Sequence, residues 1–197
     1  MYKSIKRFFD FIITLLGSIV LLPLLILIIV AIKLDSEGPI LFVQKRVGKN
    51  KKYFNILKFR TMRIDTPKDT PTHLLSHPEQ YITRVGGFLR KTSLDELPQI
   101  WNILIGDMSI IGPRPALWNQ YDLIQERDRY GANDILPGLT GWAQINGRDE
   151  LLISDKAKLD GEYVKNMSFS FDCKCFFCTI ISIVMRRGYV EGGTGNM

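Results

Sequence analysis

The stretch Arg90-Lys91-Thr92-Ser93-Leu94-Asp95-Glu96-Leu97-Pro98 sets two adjacent acids between cationic residues and the start of an apolar run. A helix start offers exposed amides that bind phosphate and a field that keeps a carboxylate ionised. An ionised carboxylate can attack phosphorus and form an acyl phosphate, while an adjacent acid helps hold a hard divalent ion such as Mg²⁺. Arg90 and Lys91 are close enough in sequence to shield a diphosphate. A purely structural role fits the same residues. Ser93 and Glu96 match a capping box, and Pro98 is tolerated only in a first helical turn, so the helix is predicted to start between Ser93 and Asp95. The two acids would then do no more than complement its dipole.

Two further clusters could bind what such a nucleophile attacks. Gly106-Asp107-Met108-Ser109-Ile110-Ile111-Gly112-Pro113-Arg114-Pro115 holds one arginine between two prolines. Their restricted backbone would aim Arg114 for bidentate phosphate recognition, or simply make a rigid turn with a solvent-facing arginine. Leu136-Pro137-Gly138-Leu139-Thr140-Gly141-Trp142-Ala143-Gln144-Ile145-Asn146-Gly147-Arg148 combines glycines for close approach with Trp142 for stacking. Gln144 and Asn146 could read base or sugar edges, and Arg148 could meet phosphate. The alternative is a turn-rich linker with Trp142 in the core.

The elements that must position these groups fit one compact domain plus a membrane element in 197 residues. Excess positive charge, 26 Lys+Arg against 20 Asp+Glu, points to lipid headgroups or phosphate esters. Nucleic acid is not expected, because no recognition helix, zinc finger or aromatic RNA-binding pattern is present. Cys173, Cys175 and Cys178 suit a reducing compartment and read as small buried hydrophobes rather than zinc ligands, since His73 and His77 lie far away in a Pro/Thr-rich loop.

Phe11 to Ile32 carries no charge and reaches the length of a membrane-spanning helix. Pro23 sits at its midpoint, and Lys3, Lys6 and Arg7 before it are matched by Lys33 and Lys45 to Lys52 after it. Basic residues at both ends put both in the cytosol under the positive-inside rule, which fits a re-entrant hairpin bent at Pro23. A kinked spanning helix is the other reading. Beyond it, strands are predicted at Ile40–Val43 and Tyr53–Phe59 as a hairpin, and helices near Tyr81–Lys91, Leu97–Leu104, Pro115–Tyr130 and Ile153–Lys165. Asp65–Pro78 reads as an exposed loop, and Phe176–Met185 as either a buried helix or one lying at headgroup level.

Read together, the chain resembles the monotopic phosphoglycosyl transferases, bacterial sugar transferases that begin capsule, exopolysaccharide and glycoconjugate assembly. The resemblance rests on Lys6-Arg7-Phe8-Phe9-Asp10, Lys58-Phe59-Arg60-Thr61-Met62, Leu94-Asp95-Glu96-Leu97-Pro98-Gln99, Gly106-Asp107-Met108-Ser109, Gly112-Pro113-Arg114-Pro115 and Pro137 to Gln144, in that order. It implies that Asp95 attacks the β-phosphate of a UDP-sugar, that UMP leaves, and that undecaprenyl phosphate resolves the phosphosugar-enzyme. It further implies Mg²⁺ at Asp95, Glu96 as essential partner, and Arg90 and Arg114 in the phosphate-binding region; Lys58, Arg60, Trp142, Gln144 and Arg148 complete the expected phosphate- and substrate-binding set.

The implied architecture is an α/β fold: a re-entrant membrane helix over residues 1–34, broken at Pro23, and a cytosolic domain over 35–197 with a small sheet and surface amphipathic helices. Leu22-Pro23 stands where the family often has Ser-Pro. The chain looks like the family's minimal catalytic form, at the cytoplasmic face of the bacterial inner membrane, and a homodimer is compatible with it. Lys68-Asp69-Thr70 and Pro115 to Tyr121 resemble enzymes of N-acetylated, including deoxy, sugars. Two other functions fit less of the pattern: a glycosyltransferase that releases UDP, and a non-catalytic nucleotide-sugar-binding module.

Overall fold

A computed structural model describes residues 2–66, 78–147 and 151–184. The chain opens with α1, Tyr2–Asp35, a helix of 34 residues. At 1.5 Å per residue that is about 51 Å of helix, enough by length and composition to cross a bilayer. Its helical run continues through Pro23 instead of stopping there, although proline cannot donate to the Ile19 carbonyl. Leu16, Ile19, Val20, Leu22 and Leu27 are all exposed along its middle.

Both ends of α1 are fastened to the same body of protein. At the N-terminal end the Arg7 guanidinium donates to the carbonyls of Ile103 and Leu104, at 2.5 and 2.9 Å. Tyr2 and Lys6 reach Asp172 at 2.6 and 2.7 Å, and Asp10 accepts from the Ser109 hydroxyl at 2.6 Å. At the other end Ile28 and Ile32 pack with Phe59 and Leu89, and Asp35 accepts from the Val85 amide at 3.0 Å.

The predicted hairpin forms as β1 (Leu41–Val47) and β2 (Tyr53–Phe59), antiparallel with Leu41 opposite Phe59 and Val47 opposite Tyr53. β1 runs four residues past its predicted end, and the turn to β2 covers residues 48–52, where Asn50 and Lys51 adopt positive φ. Helix α2 (Arg84–Lys91) starts where the Thr83 hydroxyl accepts from the Gly86 amide at 3.0 Å. Next comes α3 (Gln99–Ile105). A second, two-stranded parallel sheet pairs β3 (Ser109–Ile111) with β4 (Gly138–Thr140).

The predicted helix over Pro115–Tyr130 is shorter, α4 being Tyr121–Asp128. Residues before it are held extended: Val47 donates to Ala116, and Leu117 forms a bridge with Arg46. A single turn α5 (Trp142–Ile145), then α6 (Ile153–Asn166) and α7 (Phe169–Val184), complete the fold. On α7, Asp172 and Cys175 face inward, whereas Phe169, Phe176, Phe177, Ile180 and Ile181 are exposed. The helix is therefore not enclosed in the core. Burial pushes the Cys175 thiol up to about 12, so it is protonated, as its small-hydrophobe reading requires.

One ion pair joins α4 to α6 in the interior. Arg127 donates to Asp160 Oδ2 from Nε at 2.8 Å and from Nη2 at 2.6 Å, with side chains 4% and 1% exposed. Removing one partner strands a buried charge, so Arg127→Met is expected to cost about 3–5 kcal/mol in denaturant unfolding. An Arg127→Met/Asp160→Leu pair should recover most of that loss. A double variant no more stable than the single would show that the pair's worth lies elsewhere.

Candidate active site

The chain enters the Asp95–Glu96 segment through Ser93, a non-glycine residue in left-handed conformation at φ 56°. That reversal follows α2 directly and throws residues 94–96 into a 3-10 turn before α3 begins at Gln99. The expected capping box is not formed, because Ser93 makes no side-chain cap and Glu96 is turned elsewhere. The helix start moves from Ser93–Asp95 to Pro98–Gln99.

Glu96 is drawn to two cations from distant elements. Lys58, next to the end of β2, donates to Glu96 Oε1 at 2.7 Å, and Arg114 donates to the same oxygen at 2.9 Å. Arg114 follows β3, where the Gly112 amide donates to Thr140 and the Gly138 amide to Pro113, fixing the backbone before it. Lys58 also lies 3.9 Å from Asp95 Oδ2, within ion-pair range but beyond a hydrogen bond. The two acids are thus unequal. Glu96 is tied down; Asp95 is the less restrained carboxylate and is mostly buried.

Their electrostatics differ in the same sense. Burial pushes the Asp95 carboxyl above the usual carboxylate range; Lys58, then Arg90 and Arg114, oppose this, while the Glu96 charge reinforces it. Burial would raise Glu96 too, but Arg114 and Lys58 overcome it and hold that carboxyl far below its ordinary value. Two neighbouring carboxylates with pKa values driven apart, set among three cations, are a pattern typical of active sites.

Five of the expected residues are therefore brought into one field: Lys58, Arg90, Asp95, Glu96 and Arg114. Others are placed elsewhere. The buried Arg60 guanidinium donates to the Ser36 carbonyl at 2.7 Å, the Ser36 hydroxyl at 2.9 Å and the Glu37 carbonyl, pinning the chain after α1. Trp142 lies against Phe171 with ring centroids 5.0 Å apart, and its indole N–H donates to Glu162 at 3.0 Å. Lys174 sits 4.7 Å above its ring. Gln144 donates to the Leu139 carbonyl at 3.0 Å, with its own amide oxygen buried and unpartnered.

Pro23 lies within α1; Arg148, His73, His77 and Lys68-Asp69-Thr70 fall outside the described residues. Two of the glycines read as room for a nucleotide, Gly138 and Gly141, face Gly112, and a Cβ on either would collide with its main-chain atoms. Sequence reasoning alone did not find Lys58, which entered only through the motif it belongs to. A lysine set between Leu57 and Phe59 in a mostly apolar strand is the signal that could have found it.

Among the described residues no group of three or more His, Cys, Asp or Glu side chains could hold a metal ion unaided. Mg²⁺ asks for less: one or two carboxylates, with water and substrate phosphates completing its oxygen shell. Asp95 and Glu96 supply such oxygens, and Lys58 approaches Asp95 no nearer than ion-pair distance, short of a hydrogen bond. The donor set fits a metal that arrives with a diphosphate.

The described site is a pair of neighbouring carboxylates, Asp95 and Glu96, in the field of Lys58, Arg90 and Arg114. The sequence profile of the family described as bacterial sugar transferase matches residues 1–186, and this chain belongs to that family. It is 43% identical over 192 residues to an undecaprenyl-phosphate glucose phosphotransferase of Komagataeibacter xylinus, covering 92% of this chain and 36% of that protein. It is 36% identical to the exopolysaccharide production protein ExoY of Sinorhizobium fredii, over 93% of this chain and 87% of the relative. It is 39% identical to the UDP-glucose:undecaprenyl-phosphate glucose-1-phosphate transferase of Escherichia coli, over 96% and 41% respectively. The chain thus spans well under half of two of these relatives and most of the third.

Proposed function

We propose that the protein transfers a sugar 1-phosphate from a UDP-sugar to undecaprenyl phosphate at a membrane surface. The observation that carries this reading is the asymmetric acid pair: Glu96 held by Lys58 and Arg114, with Asp95 beside it left to react. An Asp95 carboxylate oxygen attacks the β-phosphorus of the UDP-sugar. The bond from that phosphorus to the oxygen bridging to the α-phosphate breaks, and UMP departs with the electron pair. A phosphate oxygen of undecaprenyl phosphate then attacks the same phosphorus, the Asp95 carboxylate leaves, and undecaprenyl-diphosphate-sugar is formed.

Lys58, Arg90 and Arg114 stabilise charge on the diphosphate, and Glu96 keeps two of these cations in place. Mg²⁺, held by Asp95 with help from Glu96, would supply further charge neutralisation on the phosphate oxygens. Glucose, which the names of two relatives carry, joins N-acetylated sugars as a candidate donor.

The membrane reading is supported by α1 itself. A helix whose two ends are both bound by one domain cannot leave those ends on opposite sides of a bilayer, so α1 would enter and leave on the same face. The exposed apolar residues of α7 would lie on that surface. This is the arrangement in which a lipid phosphate can reach a site on the cytoplasmic side.

The test is the identity of the nucleotide released from UDP-glucose, UDP-galactose and UDP-N-acetylated hexoses, with Mg²⁺ and undecaprenyl phosphate. UMP is expected, with one burst equivalent appearing even before acceptor is added. UDP would replace this reading with sugar transfer lacking the phosphate. Binding without release of either nucleotide would favour a non-catalytic module.

A further inference from the structure

Asn102 stands in the middle of an apolar helix, Gln99-Ile100-Trp101-Asn102-Ile103-Leu104-Ile105, and is 1% exposed. Its side chain leaves the helix to bind a strand edge. Oδ1 accepts from the Leu57 amide at 3.0 Å, and Nδ2 donates to the Asn55 carbonyl at 2.8 Å. These two groups lie on the edge of β2 not bonded to β1, and a neighbouring strand would normally take them. One amide side chain thus does for β2 what a third strand would.

The main chain of the same residue reaches a third segment. The Asn102 carbonyl accepts from the Asp107 amide at 2.9 Å and from the Met108 amide at 3.2 Å, closing the turn that leads into β3. Ile56, Ile103 and Met108 form a buried cluster around this junction. Lys58 adjoins Leu57, Asp95 and Glu96 precede α3, and Arg114 follows β3. The three segments carrying Lys58, the Asp95–Glu96 pair and Arg114 therefore meet at Asn102, which touches none of those charged groups.

We infer that Asn102 is a positioning residue: its amide sets the register of β2 against α3, and so holds Lys58 where it and Arg114 can share Glu96 and leave Asp95 available. This rests on the reaction proposed above. A merely structural asparagine would stabilise the fold without setting the rate. The positioning role predicts a loss in turnover out of proportion to the loss in stability, because small displacements of a charge-stabilising group are costly to the reaction step.

The experiment compares Asn102→Ala with Ile103→Val in the full chain, using UDP-glucose or UDP-N-acetylglucosamine, whichever the wild type turns over, with Mg²⁺ and undecaprenyl phosphate. Ile103→Val loosens the same α3–β2 packing and keeps the clasp. Asn102→Ala should lower kcat by about ten- to a hundredfold. KM for the UDP-sugar should stay within about threefold, and Ile103→Val should keep kcat within about threefold at its own loss of Tm. An Asn102→Ala protein that loses Tm but keeps wild-type kcat overturns the inference.

If that variant does not fold, Asn102→Ser, whose hydroxyl is too short to hold both groups, is judged by the same criteria. Hydrogen exchange gives a readout independent of activity. The Leu57 amide should be protected in the wild type, and exchange there as fast as at an exposed amide would also overturn the inference. A wild type that releases no UMP would instead sink the reaction, while protection at Leu57 would still decide whether the clasp exists.

Discussion

Asp95→Asn is expected to lower kcat by at least about three orders of magnitude, removal of a nucleophile costing up to about six elsewhere. The amide has the carboxylate's shape but cannot form the acyl phosphate, so the UMP burst and any phosphosugar-protein adduct should vanish together. UDP-sugar binding should hold or tighten, since one negative charge is removed from a field set by Lys58, Arg90 and Arg114. Stability should not fall. The Asp95 carboxyl is raised in the fold, so at neutral pH its ionised form is less favourable there than in the unfolded chain, and a neutral isostere relieves that cost. Intact-mass spectrometry of the half-reaction, with titration calorimetry for binding, checks both parts. Turnover within tenfold of wild type would remove Asp95 from the nucleophile's role.

Glu96→Gln is expected to cost about a hundred- to a thousandfold in kcat, because it releases Lys58 and Arg114 together. Its pH signature is more diagnostic than its size. Glu96 is held low and stays charged throughout the working range, so the acid limb of kcat/KM should report Asp95 alone, with a slope of one. Because burial raises Asp95, that limb should lie above the ordinary aspartate range. In Glu96→Gln the neighbouring negative charge is gone and Lys58 is free to turn to Asp95, so the limb moves to lower pH. In Lys58→Met it moves to higher pH. An upward move in Glu96→Gln would contradict the electrostatics described here.

Stability follows the opposite sign for this residue. The lowered carboxyl of Glu96 stabilises the fold above its unfolded value, and that contribution is lost as pH falls through its folded value. The wild type should therefore lose part of its stability advantage over Glu96→Gln on strong acidification, which thermal unfolding at several pH values will measure.

What could be read locally was read. The hairpin announced itself by strand-forming residues on either side of a polar turn, and α1 by an unbroken apolar run. Asp95-Glu96 and Arg114 stood out because charged residues beside prolines and apolar runs are chemically conspicuous. The capping box was a local inference that failed, since nothing near Glu96 in sequence says that Lys58 and Arg114 will claim it. Arg60 and Trp142 were expected to bind ligand, and nothing local to either says that Arg60 also donates to the Ser36 carbonyl or Trp142 to Glu162.

By itself the sequence determined the apolar helix, the hairpin, the chemical inventory and the family. Only the tertiary structure decided that both ends of α1 are bound by one domain, that Glu96 is the restrained acid and Asp95 the available one, and that Asn102 joins the strands and helix that bear them. The physical reason is range. Periodicity and turn chemistry act over a few residues, whereas the Lys58–Glu96 and Arg114–Glu96 pairs form between segments 38 and 18 residues apart, whose meeting is set by packing.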